Sequence, residues 1–194
     1  MPRISTATLA EHREWRRQQL IKAATSLALE AGGDAITVAA VAERAGLSRT
    51  SVYEYFGSSA ELVADLILDE LSRFSKSLSA GIIDETVPMD AIEQWISAAL
   101  QYIADGRHLL AKALSATSTP TERAADIALA HRALLAPLKS ACEQLGIVDI
   151  SQALALIQSV TDAATKRIES GNEAEIEIDT AIKFCLAGIR TLIR

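Results

Sequence analysis

The stretch Thr37–Leu62, TVAAVAERAGLSRTSVYEYFGSSAEL, decides how the chain is read. Val38, Val41 and Ala42 recur at helical spacing behind Thr37, whose hydroxyl suits an N-cap, so a short helix is expected from about Val38 to Ala45. Gly46 follows at the position where a helix ends most easily in a left-handed residue. Leu47 supplies an apolar residue to close the turn. Ser48 then caps a second helix, expected from Arg49 to about Phe56. Two short helices joined by a tight turn containing glycine form a helix-turn-helix, a hairpin that lays its second helix in the major groove of DNA.

On that second helix Val52 and Phe56 are four residues apart and face a core, which leaves Arg49, Thr50, Ser51, Tyr53 and Tyr55 for the outside. Arginine pairs bidentately with guanine, small hydroxyl residues let the backbone approach the groove, and tyrosine hydroxyls reach phosphates. The alternative for these residues is an ordinary pair of packed helices with a glycine cap. The full register decides between them. Thr37, Val41-Ala42, Ala45-Gly46-Leu47-Ser48, Tyr53, Phe56 and Glu61-Leu62 stand at the spacings of the TetR family of transcriptional regulators, which this stretch closely resembles.

The resemblance implies an all-α protein: an N-terminal three-helix bundle with the helix-turn-helix at residues 1–57, then a larger helical effector-binding and dimerisation domain at residues 58–194. It implies a regulator, commonly a repressor, that is released from a palindromic operator by a small molecule. Thr37 and the exposed residues from Ser48 to Tyr55 become the expected contacts to double-stranded DNA. The chain departs from the family at two points. Ser59 stands where a lysine is common at the start of the next helix, and Thr50 stands where glycine is frequent in the recognition helix. Ser59 is expected to cap that next helix and to offer its N–H or hydroxyl to phosphate.

Composition agrees with a folded helical protein. Of the 194 residues, 49% are apolar and only four are proline, which argues against disorder and for helices throughout. No apolar run approaches the ~20 residues of a membrane span, and MPRISTATLAEHREW lacks the apolar segment of a signal peptide, so a cytoplasmic protein is expected. Cys142 and Cys185 lack metal or redox spacing and are expected as packed free thiols. The net charge of −6 is uneven. Residues 1–57 carry seven cations against six carboxylates, a balance of +1, and the remainder carries −7. The DNA-facing end is thus the less acidic one, although its basic footprint is thin.

Residues 1 to about 10, with Arg3, read as a polar arm. A helix is expected from Glu11 to Ala31, with Trp15, Leu20, Ala23, Ala24, Leu27 and Ala31 as its apolar stripe. Arg13, Arg16 and Arg17 cluster at its start, either as a solvated face paired with Glu11 and Glu14 or as phosphate contacts that compensate for the missing lysine. A long helix starts at about Ala60 and is expected to link the helix-turn-helix end to the body. Gly81 and Asp84–Pro88 connect it to the next, which runs from Met89 to Ala104. A short helix at His108–Ala116 and a polar loop at Thr117–Pro120 follow. A longer helix is then expected from Thr121 to Leu145, kinked at Pro137.

The last two helices are apolar on more than one side, so they lie deep in the core or cover a partner. In the resembled family the equivalent helices form a four-helix dimer interface. A homodimer is therefore expected, with Leu156, Val160, Ala163, Arg167, Ile182, Leu186, Ile189 and Ile193 at the interface. The family also carries a ligand pocket in the body. Phe74, Trp95, Tyr102, His108 and His131 are its candidates here, and the Ala-rich surroundings imply an apolar or amphipathic effector. The three histidines are scattered and no nucleophile, metal-ligand or nucleotide motif occurs, so no catalytic residue, metal or cofactor is expected. The rival reading is a helical dimeric ligand-binding or protein-interaction module without specific DNA binding.

Overall fold

The computed structural model describes residues 9–80, 87–114 and 123–193. The expected N-terminal arm with Arg3, most of the Gly81–Pro88 connection and the Thr117–Pro120 loop lie outside the described residues. The helices are α1 (Leu9–Ala31), α2 (Val38–Ala45), α3 (Arg49–Tyr55), α4 (Ser59–Ser79), α5 (Pro88–Ala104), α6 (Leu109–Leu114), α7 (Ala124–Leu134), α8 (Ala136–Gln144), α9 (Ile150–Glu169) and α10 (Ala174–Leu192), with a 3-10 turn at Gly33–Ala35. No strand occurs among the described residues. The all-α expectation holds.

The chain divides into two compact units, Met1–Asp69 with Leu109–Ile127, and Glu70–His108 with Ala128–Arg194. These bounds differ from the division at residues 57 and 58, because α4 contributes Leu62, Val63 and Leu66, and α6 Leu110 and Leu114, to the core of the first unit.

In that first core Leu20, Ala24 and Ala28 of α1 pack with Val41, Val52, Phe56, Leu62 and Leu66. Burying the Leu, Val and Phe side chains among them is worth roughly 1.5–3 kcal/mol each. Trp15 does not join the stripe. It is 57% exposed and stacks on His12, because the first turns of α1 extend beyond the packed core. Ala31 is likewise exposed.

The turn between α2 and α3 follows from local chemistry. Thr37 Oγ1 accepts the Ala40 N–H at 3.1 Å. Gly46 adopts φ 65°, which lets the Leu47 N–H return to the Ala42 carbonyl at 2.9 Å and satisfies an open end of α2. Ser48 Oγ then accepts the Ser51 N–H at 3.1 Å to begin α3. At α4 the cap is Ser58, not Ser59: Ser58 Oγ accepts the Glu61 N–H at 3.1 Å, and the Glu61 carboxylate takes the Gly57 N–H at 2.9 Å. This variant of the capping box, in which the carboxylate reaches the residue before the cap, places Ser59 in the first turn. Gly57 makes room for it, since a Cβ there would meet the Glu61 oxygens at 3.0 Å.

The second unit packs α8, α9 and α10 around α5, whose Ile92, Ile96 and Leu100 are almost wholly buried. Pro137 has a larger effect than a kink. The expected long helix is two, α7 and α8, separated at Leu135, with Pro137 in the first turn of α8. The Leu134 carbonyl left at the break accepts the Trp95 indole N–H at 2.9 Å. Cys142 and Cys185 are buried free thiols, as expected, and burial pushes the Cys185 thiol up to about 11.

The left-handed Gly46 gives the first prediction. A Cβ at Gly46 would meet nothing within 4 Å, so Gly46→Ala carries only the backbone penalty. Urea unfolding of Gly46→Ala is expected to show a stability loss of about 1–2 kcal/mol. An unchanged midpoint would contradict it.

Candidate nucleic-acid interface and effector cleft

α3 presents a short exposed surface. Arg49, Thr50 and Tyr53 are exposed, Tyr53 at 57%, while Val52 is fully buried and Phe56 nearly so. Ser48 and Ser51 share a hydroxyl–hydroxyl contact of 3.0 Å, which orients both at the start of the helix. Thr37 is exposed at the start of α2, and Ser59 is half-buried. Glu54, not singled out from the sequence, is exposed on α3 as well and thins its positive charge further.

Tyr55 differs from its expected place. It is half-buried and packs against the first core. Its ring lies under the Arg13 guanidinium, 5.8 Å from the centroid, so it reaches the surface through that cation. The helix-one arginines also separate in role. Arg13 is exposed, whereas Arg16 is half-buried, with its Nε lacking a hydrogen-bond partner. Arg17 donates to Asp65 of α4 at 2.8 Å and lies over Phe56 at 5.7 Å, so it braces the bundle instead of standing free for phosphate.

Arg44, at the end of α2, forks onto Glu30 of α1 through two bonds of 2.7 Å each. Glu30 also accepts the Ser26 hydroxyl at 2.7 Å. The Arg44 and Ser26 hydrogen bonds hold the Glu30 carboxyl at about 2, below its ordinary 4.5.

In the second unit the expected effector residues divide. Phe74, Trp95 and His131 line one cleft of ≈430 Å³, joined by Ile103, Leu135 and the polar α9 residues Gln158 and Asp162. Tyr102 lies behind this surface. Its ring packs on Phe74 at 4.7 Å, and its hydroxyl donates to the buried Glu70 carboxylate. Burial and the Glu70 hydrogen bond push the Tyr102 phenol well above its usual range. His108 stands elsewhere, with Nε2 at 2.8 Å from Glu169.

The expected dimer residues divide in the same way. On α9, Leu156 is 54% exposed and Ala163 is exposed, with Val160 half-buried between them. On α10, Ile189 is only 3% exposed and Ile182 and Leu186 are half-buried on the side that packs within the unit, while Ile193 lies just past the helix end. The outward α10 position belongs to Phe184, 68% exposed, with Thr180 and Gly188 one turn to either side. Two shallow grooves of ≈160 and ≈390 Å³ adjoin Leu156, Val160 and Phe184. Arg167 closes one end, forked onto Glu177 at 2.7 and 2.8 Å, and its hydrogen bonds hold that carboxyl below the ordinary range. The signal for Phe184 was the one aromatic of the last helix, at four-residue spacing from Thr180 and Gly188.

The family described as Bacterial regulatory proteins, tetR family, matches residues 20–66, the segment that carries α2, α3 and the turn between them. This reading head is that of the tetR family. No curated protein matches the sequence. Solved structures resemble the chain over most of its length. One is a TetR-like transcriptional regulator from a Rhodococcus species, 20% identical, with a TM-score of 0.72 over 90% of this chain and 96% of that one. Another is the regulator FadR from Bacillus subtilis in complex with stearoyl-CoA, 19% identical, with a TM-score of 0.72 over 88% and 98%. A third is the fatty acid degradation regulator FadR from Bacillus halodurans, 18% identical, with a TM-score of 0.70 over 88% and 94%. At these identities the likeness is one of fold. Among the described residues no helix is long and apolar enough to cross a membrane.

The Arg44–Glu30 fork makes stability depend on pH in a definite direction. Because the folded carboxyl titrates at about 2 against an ordinary 4.5, the fork contributes fully above about pH 4.5 and is lost as pH falls toward 2. The difference in urea midpoint between the unaltered protein and Arg44→Gln is expected to be present at pH 7 and to shrink through that window. A pH-independent difference would contradict the assignment.

Proposed function

We propose that this tetR-family DNA-binding regulator acts in the cytoplasm as a homodimeric repressor, released from a palindromic operator by a small apolar or amphipathic effector. The observation that carries the reading is the α2–α3 pair: a glycine-turned, doubly capped hairpin presents Arg49, Thr50 and Tyr53 together on an exposed face. Arg49 is the base-reading cation, Tyr53 and Thr37 position the backbone, and Arg13 with Tyr55 adds phosphate grip from α1.

The dimer is supported by the α9 and α10 face. A monomer that leaves Phe184 and Leu156 in water beside two apolar grooves gains by burying them against a second copy. A twofold pair then holds two reading heads about one turn of DNA apart, ~34 Å, to match a palindrome. The effector is supported by the cleft that Phe74, Trp95 and His131 line, apolar on α5 and polar on α9. The stearoyl-CoA complex of the Bacillus subtilis neighbour shows a protein of this fold in complex with an amphipathic ligand, which favours the same class here.

A second reading, a helical interaction module without specific DNA binding, is favoured by the Arg17–Asp65 ion pair and by the +1 balance of residues 1–57. Titrating the protein's own upstream DNA at several salt concentrations separates the two. The regulator is expected to bind one fragment selectively, with log affinity falling steeply against log salt. No binding at low salt would favour the module. Arg49→Ala is expected to cost about 1–3 kcal/mol of discrimination between the operator and altered sites. An equal loss on all DNA would assign Arg49 to phosphate instead. Light scattering tests the dimer: Phe184→Glu is expected to halve the mass at micromolar concentration, and an unaltered protein already monomeric there would contradict the interface.

A further inference from the structure

One carboxylate in the first unit is shared between two distant cations. Arg17 Nη2 of α1 reaches Asp65 Oδ2 at 2.8 Å, and Arg123 Nη1, in the residue before α7, reaches Asp65 Oδ1 at 3.0 Å. Arg123 Nε also donates to Asp126 at 3.0 Å. Asp65 lies on α4 with its side chain 22% exposed, so both pairs are partly withdrawn from water and weigh more than open surface pairs. The Arg17 guanidinium lies over the Phe56 ring, and Phe56 closes α3, its N–H bonded to the Val52 carbonyl at 2.9 Å.

Guanidinium and carboxylate prefer a two-bond fork. Arg123 competes with Arg17 for Oδ1, and Arg17 bonds Oδ2 alone, with its Nη1 4.0 Å from Glu14 Oε1 and its guanidinium over Phe56. If Oδ1 were released, Arg17 would gain by swinging onto both oxygens, and the cation would leave the ring that ends the recognition helix. We propose that Arg123 is a positioning residue of the reading head: by holding Oδ1 of Asp65 it fixes Arg17 over Phe56 and so sets the pose of α3. The proposal rests on the DNA-reading function. It brings a residue from beyond the matched segment, at the start of the helix that carries His131, into that function.

The test uses the full-length protein, a duplex from its own upstream DNA and a scrambled duplex of equal length. Arg123→Gln is expected to lower the ratio of the two affinities about tenfold. The slope of log affinity against log salt should not change if Arg123 acts through Asp65 and not on phosphate. Arg123→Lys should restore part of the ratio, and Arg123→Gln should add nothing in an Asp65→Asn background. An unchanged ratio, a slope shallower by about one, or additive losses with Asp65→Asn would each overturn the proposal. If the unaltered protein discriminates between no duplexes, the DNA-reading function itself fails. Amide exchange then decides the positioning claim: Arg123→Gln should speed exchange at Val52 and Phe56 relative to the α2 amides, and equal rates would refute it.

Discussion

The reading head depends on a single backbone reversal. Gly46 turns the chain into the left-handed region, Leu47 returns its N–H to α2, and Ser48 at once caps α3. Every later feature assumes that angle between the two helices. With it, Val41, Val52 and Phe56 meet in one core and Arg49, Thr50 and Tyr53 share one exposed face. Without it, the hydrophobic anchors and the polar contacts of α3 would no longer separate.

Charge is the second constraint. A DNA-reading unit ordinarily carries a surplus of free cations, yet here Arg44 is forked onto Glu30 and Arg17 is bonded to Asp65. These arginines hold helices in place, and Arg13, Lys22 and Arg49 are among the cations on the exposed surface. Such a head favours placement over grip: rigid presentation of a few side chains offsets a thin electrostatic footprint, and in the proposed dimer two half-sites bound at once would supply the rest.

Much of this was legible in the sequence because the determinants are local. Thr37, Gly46 and Ser48 act within four residues of themselves, so the bounds of α2 and the start of α3 follow from the order of residues. What was not legible depends on contacts distant in the chain. Tyr55 reads as outward on its own helix, but Arg13 and the first core decide where its ring lies. Arg17 reads either as a partner of Glu11 and Glu14 or as a phosphate contact, and its ion pair with Asp65, 48 residues on, is visible only in the fold. Ser58 and Ser59 both suit a cap, and the reach of Glu61 to Gly57 chooses between them. In α10 both faces are apolar, and periodicity cannot say which one α5 and α9 will cover. They cover Ile189 and leave Phe184.

In the proposed regulator two such heads read one palindrome together. Hydroxyl-radical footprinting of the protein on its own upstream DNA tests it most directly. Two protected patches of inverted sequence are expected, with centres about 10 base pairs, or a multiple of that, apart on the same face of the duplex. A single patch, or uniform weak protection along the whole fragment, would contradict it.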